Sequence, residues 1–347
     1  SNFVGAKFGV ATNSATSALH ISCLALGLEH NDWLWVSPLS FVASSNCGLY
    51  CGANVDFVDI EESSFNICPK KLEEKLLIAQ KKGSLPKVVV SVHLCGQSAE
   101  MKQIFELSLQ YGFKIIEDAS HAVGGKYLGE YIGNCHFSAI TIFSFHPVKI
   151  ITTGEGGMAL TNNEDLADKM RLLRSHGITR DETKMMSKSH GPWYYEQIGL
   201  GFNYRMTDIH AALGLSQMNR LEDYIKRRNT IAQSYDTALQ QLPLITPQVN
   251  SNCYSTYHLY VIRLQQKRTD LSRLDVFVSL RKKGIGVNIH YIPIFMHPYY
   301  QKFKFAASEF PNSIKYYNEA ISLPIFPSMT ENDQEKVIDT LFEVLKK

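Results

Sequence analysis

The sequence predicts an α/β protein: a large domain on a mostly parallel central sheet, followed by a smaller C-terminal α+β unit. Three observations predict it. Short apolar runs at 34–36, 55–58, 87–92 and 113–117 read as buried strands. Segments at 16–28, 42–53, 70–82 and 99–112 read as helices between them, and strand–helix alternation favours a parallel sheet covered on both faces. Pro243 and Pro247 then interrupt a long helical stretch, and the pattern beyond them changes.

Within 99–112, Met101, Ile104, Phe105 and Leu109 recur at helical spacing and predict one apolar face. Two further strands are expected at 136–145 and 157–161, each beside a glycine-rich turn. A helical stretch from Thr207 to about residue 241 precedes the prolines. Beyond lie an expected strand at 257–264, a helix at 274–283, a strand at 286–291 and a closing helix from Glu331. The expected division is a large domain over 1–230 and a small one over 231–347. No internal repeat or low-complexity segment is present.

Composition narrows the function. Hydrophobic residues make up 45%, yet no apolar run approaches the roughly 18 residues of a membrane span. The first residues show no basic stretch leading into an apolar one, so no signal peptide is expected. A net charge of +2 argues against a nucleic-acid footprint or an acidic lipid surface. The expected partner is a small molecule or another subunit. Seven cysteines are scattered through apolar segments, and Cys47 and Cys51 have no second Cys/His pair to complete a metal site. Reduced thiols in a cytoplasmic protein, with no metal, are the expectation.

Three groups carry chemistry. Glu117-Asp118-Ala119-Ser120-His121 ends a strand in two carboxylates, where open α/β sheets bind ligands. The acid could equally cap a following helix. Lys149, in Ser144-Phe145-His146-Pro147-Val148-Lys149, follows an apolar strand and precedes Gly154-Glu155-Gly156-Gly157. A lysine among such residues can be desolvated, which lowers its pKa and makes it an imine-forming nucleophile. Asn13-Ser14-Ala15-Thr16-Ser17 opens a helix, either as an ordinary N-cap or as an anion site. Pyridoxal 5'-phosphate needs all three: a phosphate cradle, a carboxylate for its ring nitrogen and a lysine.

Those blocks, with Ser37–Ala43 and Gly201-Phe202-Asn203-Tyr204-Arg205-Met206-Thr207-Asp208-Ile209, resemble the DegT/DnrJ/EryC1/StrS family of pyridoxal-phosphate sugar aminotransferases. The resemblance runs from Val4 almost to the C-terminus and implies the type I aminotransferase fold. It implies that Lys149 holds the cofactor as an imine and moves protons, and that Asp118 pairs with the ring nitrogen. It places His121 at the ring's 3-hydroxyl side and Phe41, otherwise read as a core phenylalanine, over the ring. Ala15 and Thr16 backbone groups and Ser144 are implied to hold the phosphate. Asn203 is implied to reach the phosphate of a neighbouring subunit, hence a homodimer with shared sites. Arg205, Tyr194, His290 and Tyr291 are implied substrate contacts, His290 being otherwise a structural histidine.

Pro192-Trp193-Tyr194-Tyr195-Glu196, the run from Gly284 to Pro293 and Ser322-Leu323-Pro324 look like the PseC-type branch. That branch aminates C4 of a UDP-linked 4-keto-6-deoxy-N-acetyl sugar on the way to pseudaminic acid. The implied substrates are a nucleotide sugar and L-glutamate. Phe295 stands where the branch often has a histidine, which puts substrate contacts there in question. The family also has several dozen residues ahead of the point matching Ser1. The competing readings are an aminotransferase acting at C3 or on a dTDP or GDP sugar, a histidine-based dehydrase that Lys149 argues against, and a non-catalytic relative.

Overall fold

The computed structural model describes residues 1–346. The chain opens with β1 (Phe8–Thr12), α1 (Ala15–Ala25), β2 (Trp33–Val36), α2 (Ala43–Tyr50), β3 (Asn54–Phe57), α3 (Pro69–Lys82), β4 (Val88–Val92), α4 (Met101–Tyr111) and β5 (Lys114–Asp118). Then come β6 (Ile140–Ser144), β7 (Gly157–Thr161), α5 (Glu164–Arg174), α6 (Asp208–Met218) and α7 (Leu221–Ala238). The main elements beyond are β8 (Leu244–Ile245), β9 (Tyr260–Leu264), α8 (Arg273–Lys282), α9 (Pro311–Glu319), β10 (Ala320–Leu323) and α10 (Glu331–Leu345).

Strands β1 to β7 form one sheet in the order β1-β7-β6-β5-β4-β2-β3. The strands from β3 across to β6 pair in parallel, whereas β7 runs antiparallel to both β6 and β1. The expected mostly parallel sheet is present. All of β4 and β6 is buried, as strands covered on both faces must be. One core cluster packs α1, α2 and α5 against the sheet, and another packs α3 and α4. In register, Val92 lies beside Asp118 and Asp118 beside Ile142, while Ser144 and Thr12 both pair with Gly157. The chemistry-bearing residues therefore meet at one edge of the sheet.

A separate core gathers buried side chains between Ile231 and Leu345 around β8, β9 and β10. The proposed division near residue 230 falls at the start of this core. Ile294, Phe295, Tyr300 and Phe310, however, return to the large core. Buried Arg228 on α7 donates to the carbonyls of Tyr257, His258 and Ile325 and clasps this unit together, and burial pulls its guanidinium down to about 10.

Several expectations need correction. The stretch from Thr207 is two helices, because α7 buries Leu221, Ile225, Ile231 and Tyr235 while α6 buries no residue. The two follow different surfaces. Leu109 is 71% exposed: the buried face of α4 is Met101, Ile104, Leu107, Ser108 and Tyr111, and helical rotation carries Leu109 to the far side. Residues 286–291 form no strand. They make one bridge, Asn288 to Ser322, because β10 takes the sheet position beside β9 and the chain departs to carry His290 and Tyr291 elsewhere. Tyr257 has a left-handed φ of 44°, so β9 begins only at Tyr260. Helices α5 and α9 and strands β1 and β10 were not expected.

Candidate active site

At the sheet edge lies a cavity of about 320 Å³. Its walls include Ala15, Thr16, Phe41, Asp118, His121, Ser144, Lys149, His290 and Tyr291. Nine residues singled out from sequence, spread over most of the chain, thus share one space.

Asp118 is buried at the end of β5. Ser44 Oγ donates to its Oδ2 at 2.6 Å, and Ser120 donates to Oδ1 from both N (3.2 Å) and Oγ (2.5 Å). These donors stabilise a buried carboxylate. No helix starts at Asp118, so the capping reading falls.

Lys149 stands on the loop between β6 and β7. Buried Ile150 and Ile151 anchor that loop, and the Phe145 amide bonds Gly156 O while the Thr153 amide bonds Phe145 O. The side chain is partly exposed toward the cavity. Burial pulls its amine down to about 8, against the pull of the Asp118 charge, which favours the ammonium. The neutral amine is therefore far more populated near neutral pH than in an ordinary lysine.

The third wall is the start of α1. Ser14 caps the helix, accepting from Ser17 N at 3.1 Å, so the first-turn amides near Ala15 and Thr16 keep their donors toward the cavity. A Cβ at Gly157 would lie 2.5 Å from Ala15 N, so glycine is required where β7 meets this turn. Ser144, buried at the end of β6, adds a hydroxyl. Phe41 is 58% exposed at the rim rather than in the core, with its ring 6.3 Å from Tyr291.

Imidazoles line the remaining side. The Cys95 amide donates to His121 Nδ1 at 3.3 Å, which puts the ring proton on Nε2, 3.3 Å from Tyr291 Oη. His258 packs 4.3 Å from His121, and His290 Nδ1 meets Ser322 Oγ at 2.8 Å. Burial, then the charge of Lys149, depresses all three: His290 to about 4, His121 and His258 well below the usual range. The unfolded state, titrating near about 6.5, therefore binds more protons, and stability must fall as pH drops from there through about 4. Urea midpoints of ligand-free protein should decline across that window, and His290→Gln should flatten the decline. Parallel curves for the two proteins would contradict it.

Three expected residues lie outside the lining. Asn203 and Arg205 are exposed on the segment before α6, and Asn203 O accepts from Asn13 Nδ2 at 3.5 Å. Tyr194 is tied to Glu196 by a 2.7 Å hydrogen bond. Phe295 does not line the cavity either. It is buried and stacks on Phe310 at 4.8 Å.

Sequence reading missed Ser44, Ser120, Cys95 and His258, whose contacts with Asp118 and His121 depend on tertiary placement. It also missed a buried pair behind the site. His93 Nε2 donates to Glu117 Oε2 at 2.8 Å, while Ser138 and Thr141 donate to Oε1. Burial alone would raise the Glu117 carboxyl, but these donors hold it below its usual value. Among the described residues, no cluster of three or more His, Cys, Asp or Glu side chains is placed to hold a metal ion, and no helix is long and apolar enough to cross a membrane.

Residues 1–342 match the DegT/DnrJ/EryC1/StrS aminotransferase family. The chain is 41% identical to spore coat polysaccharide biosynthesis protein SpsC of Bacillus subtilis, covering 99% of this chain and 87% of that protein. It is 37% identical to the UDP-4-amino-4,6-dideoxy-N-acetyl-beta-L-altrosamine transaminase of Campylobacter jejuni, with the same two coverages of 99% and 87%. Among solved structures, Helicobacter pylori PseC, an aminotransferase of pseudaminic acid biosynthesis, superposes with a TM-score of 0.88 at 30% identity. That match covers 99% of this chain and 88% of the other.

Proposed function

We propose that this chain, which belongs to the DegT/DnrJ/EryC1/StrS aminotransferase family, transfers an amino group from L-glutamate to a nucleotide-linked 4-keto-6-deoxy sugar, using pyridoxal phosphate. The observation that carries the proposal is the meeting of Lys149, Asp118 and the start of α1 in one cavity. The donor set fits the cofactor: a phosphate cradle at Ala15, Thr16 and Ser144, a buried carboxylate, and a partly neutral amine. When bound, the cofactor supplies an electron sink for the carbon that gains or loses the amino group.

The chain's residues do the rest. Asp118, fixed by Ser44 and Ser120, would pair its carboxylate with the ring nitrogen. Lys149 Nζ, poised near 8, accepts a proton in one half-reaction and returns it in the other. With the cofactor bound, Phe41 would cover its ring and His121 would meet its hydroxyl side. With His121 Nε2–H donating to Tyr291 Oη, the tyrosine's own proton is free to point at substrate.

We further propose a homodimer in which the exposed Asn203 and Arg205 complete the neighbouring site, with Tyr194 near the substrate. Mixing inactive Lys149→Ala with inactive Arg205→Ala subunits should then restore activity, since one site of each mixed dimer carries neither defect. Mixed dimers that stay inactive after verified exchange would place Arg205 elsewhere. The cytoplasm is the proposed compartment, consistent with seven free cysteines.

For the sugar, we propose UDP-2-acetamido-2,6-dideoxy-hexos-4-ulose, aminated at C4. The Campylobacter relative and the PseC likeness support it. Another keto-sugar nucleotide is the second reading, favoured by the higher identity to SpsC, whose name specifies no sugar. Comparing kcat/KM for the UDP sugar and for dTDP-4-keto-6-deoxyglucose separates them. A preference for the UDP-N-acetyl sugar is expected, because a site that hydrogen-bonds the acetamido group leaves buried partners unpaired without it. A preference for the dTDP sugar overturns the assignment of substrate.

A further inference from the structure

Behind the cavity wall, one side chain closes the loop that follows β4. The Ala99 amide donates to His93 Nδ1 at 3.2 Å, so the ring proton lies on Nε2, where it meets Glu117 Oε2 at 2.8 Å. Both side chains are buried. Glu117 points to the face of β5 opposite Asp118, because successive strand residues alternate. Ser138 and Thr141 hold its other oxygen, at 2.5 and 3.0 Å. The main chain of His93 serves Asp118 itself: its amide donates to Asp118 O at 3.0 Å, just past the Val92–Asp118 pair.

We propose that His93, fixed by Glu117, is a positioning residue: it shapes the 93–99 loop that sets the tautomer of His121, and it holds the end of β5 that carries Asp118.

The loop needs such a hold. Cys95 adopts a left-handed φ of 62°, unusual for a residue with a side chain, and Gly96 follows at 102°. A Cβ on Gly96 would collide with Thr256 Oγ1, so glycine is required there. Backbone in so sparsely populated a region persists only where its surroundings over-determine it. His93 ties the loop at Ala99, and Asn66 Oδ1 accepts from the Leu94 amide at 2.8 Å. Gly96 O accepts from the Thr256 amide at 3.1 Å, and Thr256 Oγ1 donates to His121 O at 2.6 Å.

Held in this way, the Cys95 amide meets His121 Nδ1 and leaves the His121 proton on Nε2, toward Tyr291. The other tautomer would set one donor against another at Cys95 and turn a bare nitrogen toward Tyr291. Glu117 acts one step back. It is the acceptor that keeps the His93 proton on Nε2, and a proton on Nδ1 would oppose the Ala99 amide. The use of this chain in turnover rests on the reaction proposed above, whereas the chain itself does not.

The test reads histidine tautomers in cofactor-free protein, from long-range proton–nitrogen correlation spectra after nitrogen-15 histidine labelling. His93→Gln and His121→Gln assign the two rings. Both should show a protonated Nε2 and a bare Nδ1. In Glu117→Ala the His121 signals should move to a mixture of tautomers. Its kcat should fall by about 10–10²-fold, the scale of a misplacement of about 1 Å, with KM within about threefold. Glu117→Gln keeps a carbonyl oxygen for His93, and the Ser138 and Thr141 hydroxyls can turn to accept from its nitrogen. It should restore the His121 pattern and most of kcat. A His121 proton on Nδ1 in unaltered protein overturns the proposal, and that spectrum stands even where Glu117→Ala folds poorly. A folded Glu117→Ala whose His121 spectrum matches the parent's overturns it equally. These spectra need neither cofactor nor substrate, so they can fail while the reaction proposed above stands.

Discussion

Lys149→Ala is expected to lower kcat by about 10⁴-fold or more while leaving the fold intact. Positioned acid–base groups contribute roughly 10²–10⁴-fold by themselves, and Lys149 is proposed also to hold the cofactor, so its loss removes two functions. Folding should survive the change. Burial disfavours this ammonium, so replacing it removes a desolvation cost instead of a stabilising contact. Ile150, Ile151 and the backbone bonds of Phe145 and Thr153 hold the loop without it. Steady-state kinetics beside urea unfolding checks both halves. Turnover within tenfold of the parent protein would remove Lys149 from the chemistry.

Asp118→Asn comes second in size, with an expected fall in kcat of about 10²–10³-fold, the usual cost of removing a preorganised electrostatic group. The substitution keeps the shape, and the Ser44 and Ser120 hydroxyls can still bond the amide oxygen or rotate to accept from its nitrogen. Only the charge is lost. Cofactor affinity should also weaken, because the carboxylate no longer offsets a positive ring nitrogen. An Asp118→Asn protein that binds cofactor and turns over normally would show that the charge is not used.

Much of this site was legible before the fold, and for a physical reason. Asp118 and the turn at Ser14–Thr16 sit at a strand end and a helix start, positions that local sequence marks by apolar runs and small polar residues, whereas Ser144, Phe41, His121, His290 and Tyr291 came from the family resemblance. Lys149 was legible because a lysine hemmed in by an apolar strand and glycines is out of place as a solvated charge. Tertiary partners were not legible. Nothing local announces that Ser44 faces Asp118 or that His258 packs on His121. The strand expected at 286–291 failed because the chain there serves the cavity rather than a sheet, and helical spacing misled at Leu109, where four correctly spaced residues did not all share the buried face. Phe295 shows the reverse error: a worry about substrate contacts attached to a side chain that packs in the core.

The measurement that bears most directly on the account is reductive trapping. Protein loaded with pyridoxal phosphate, reduced with borohydride, digested and mapped by mass spectrometry should carry the pyridoxyl group on Lys149. A label on any other lysine, or no cofactor uptake at all, would contradict it.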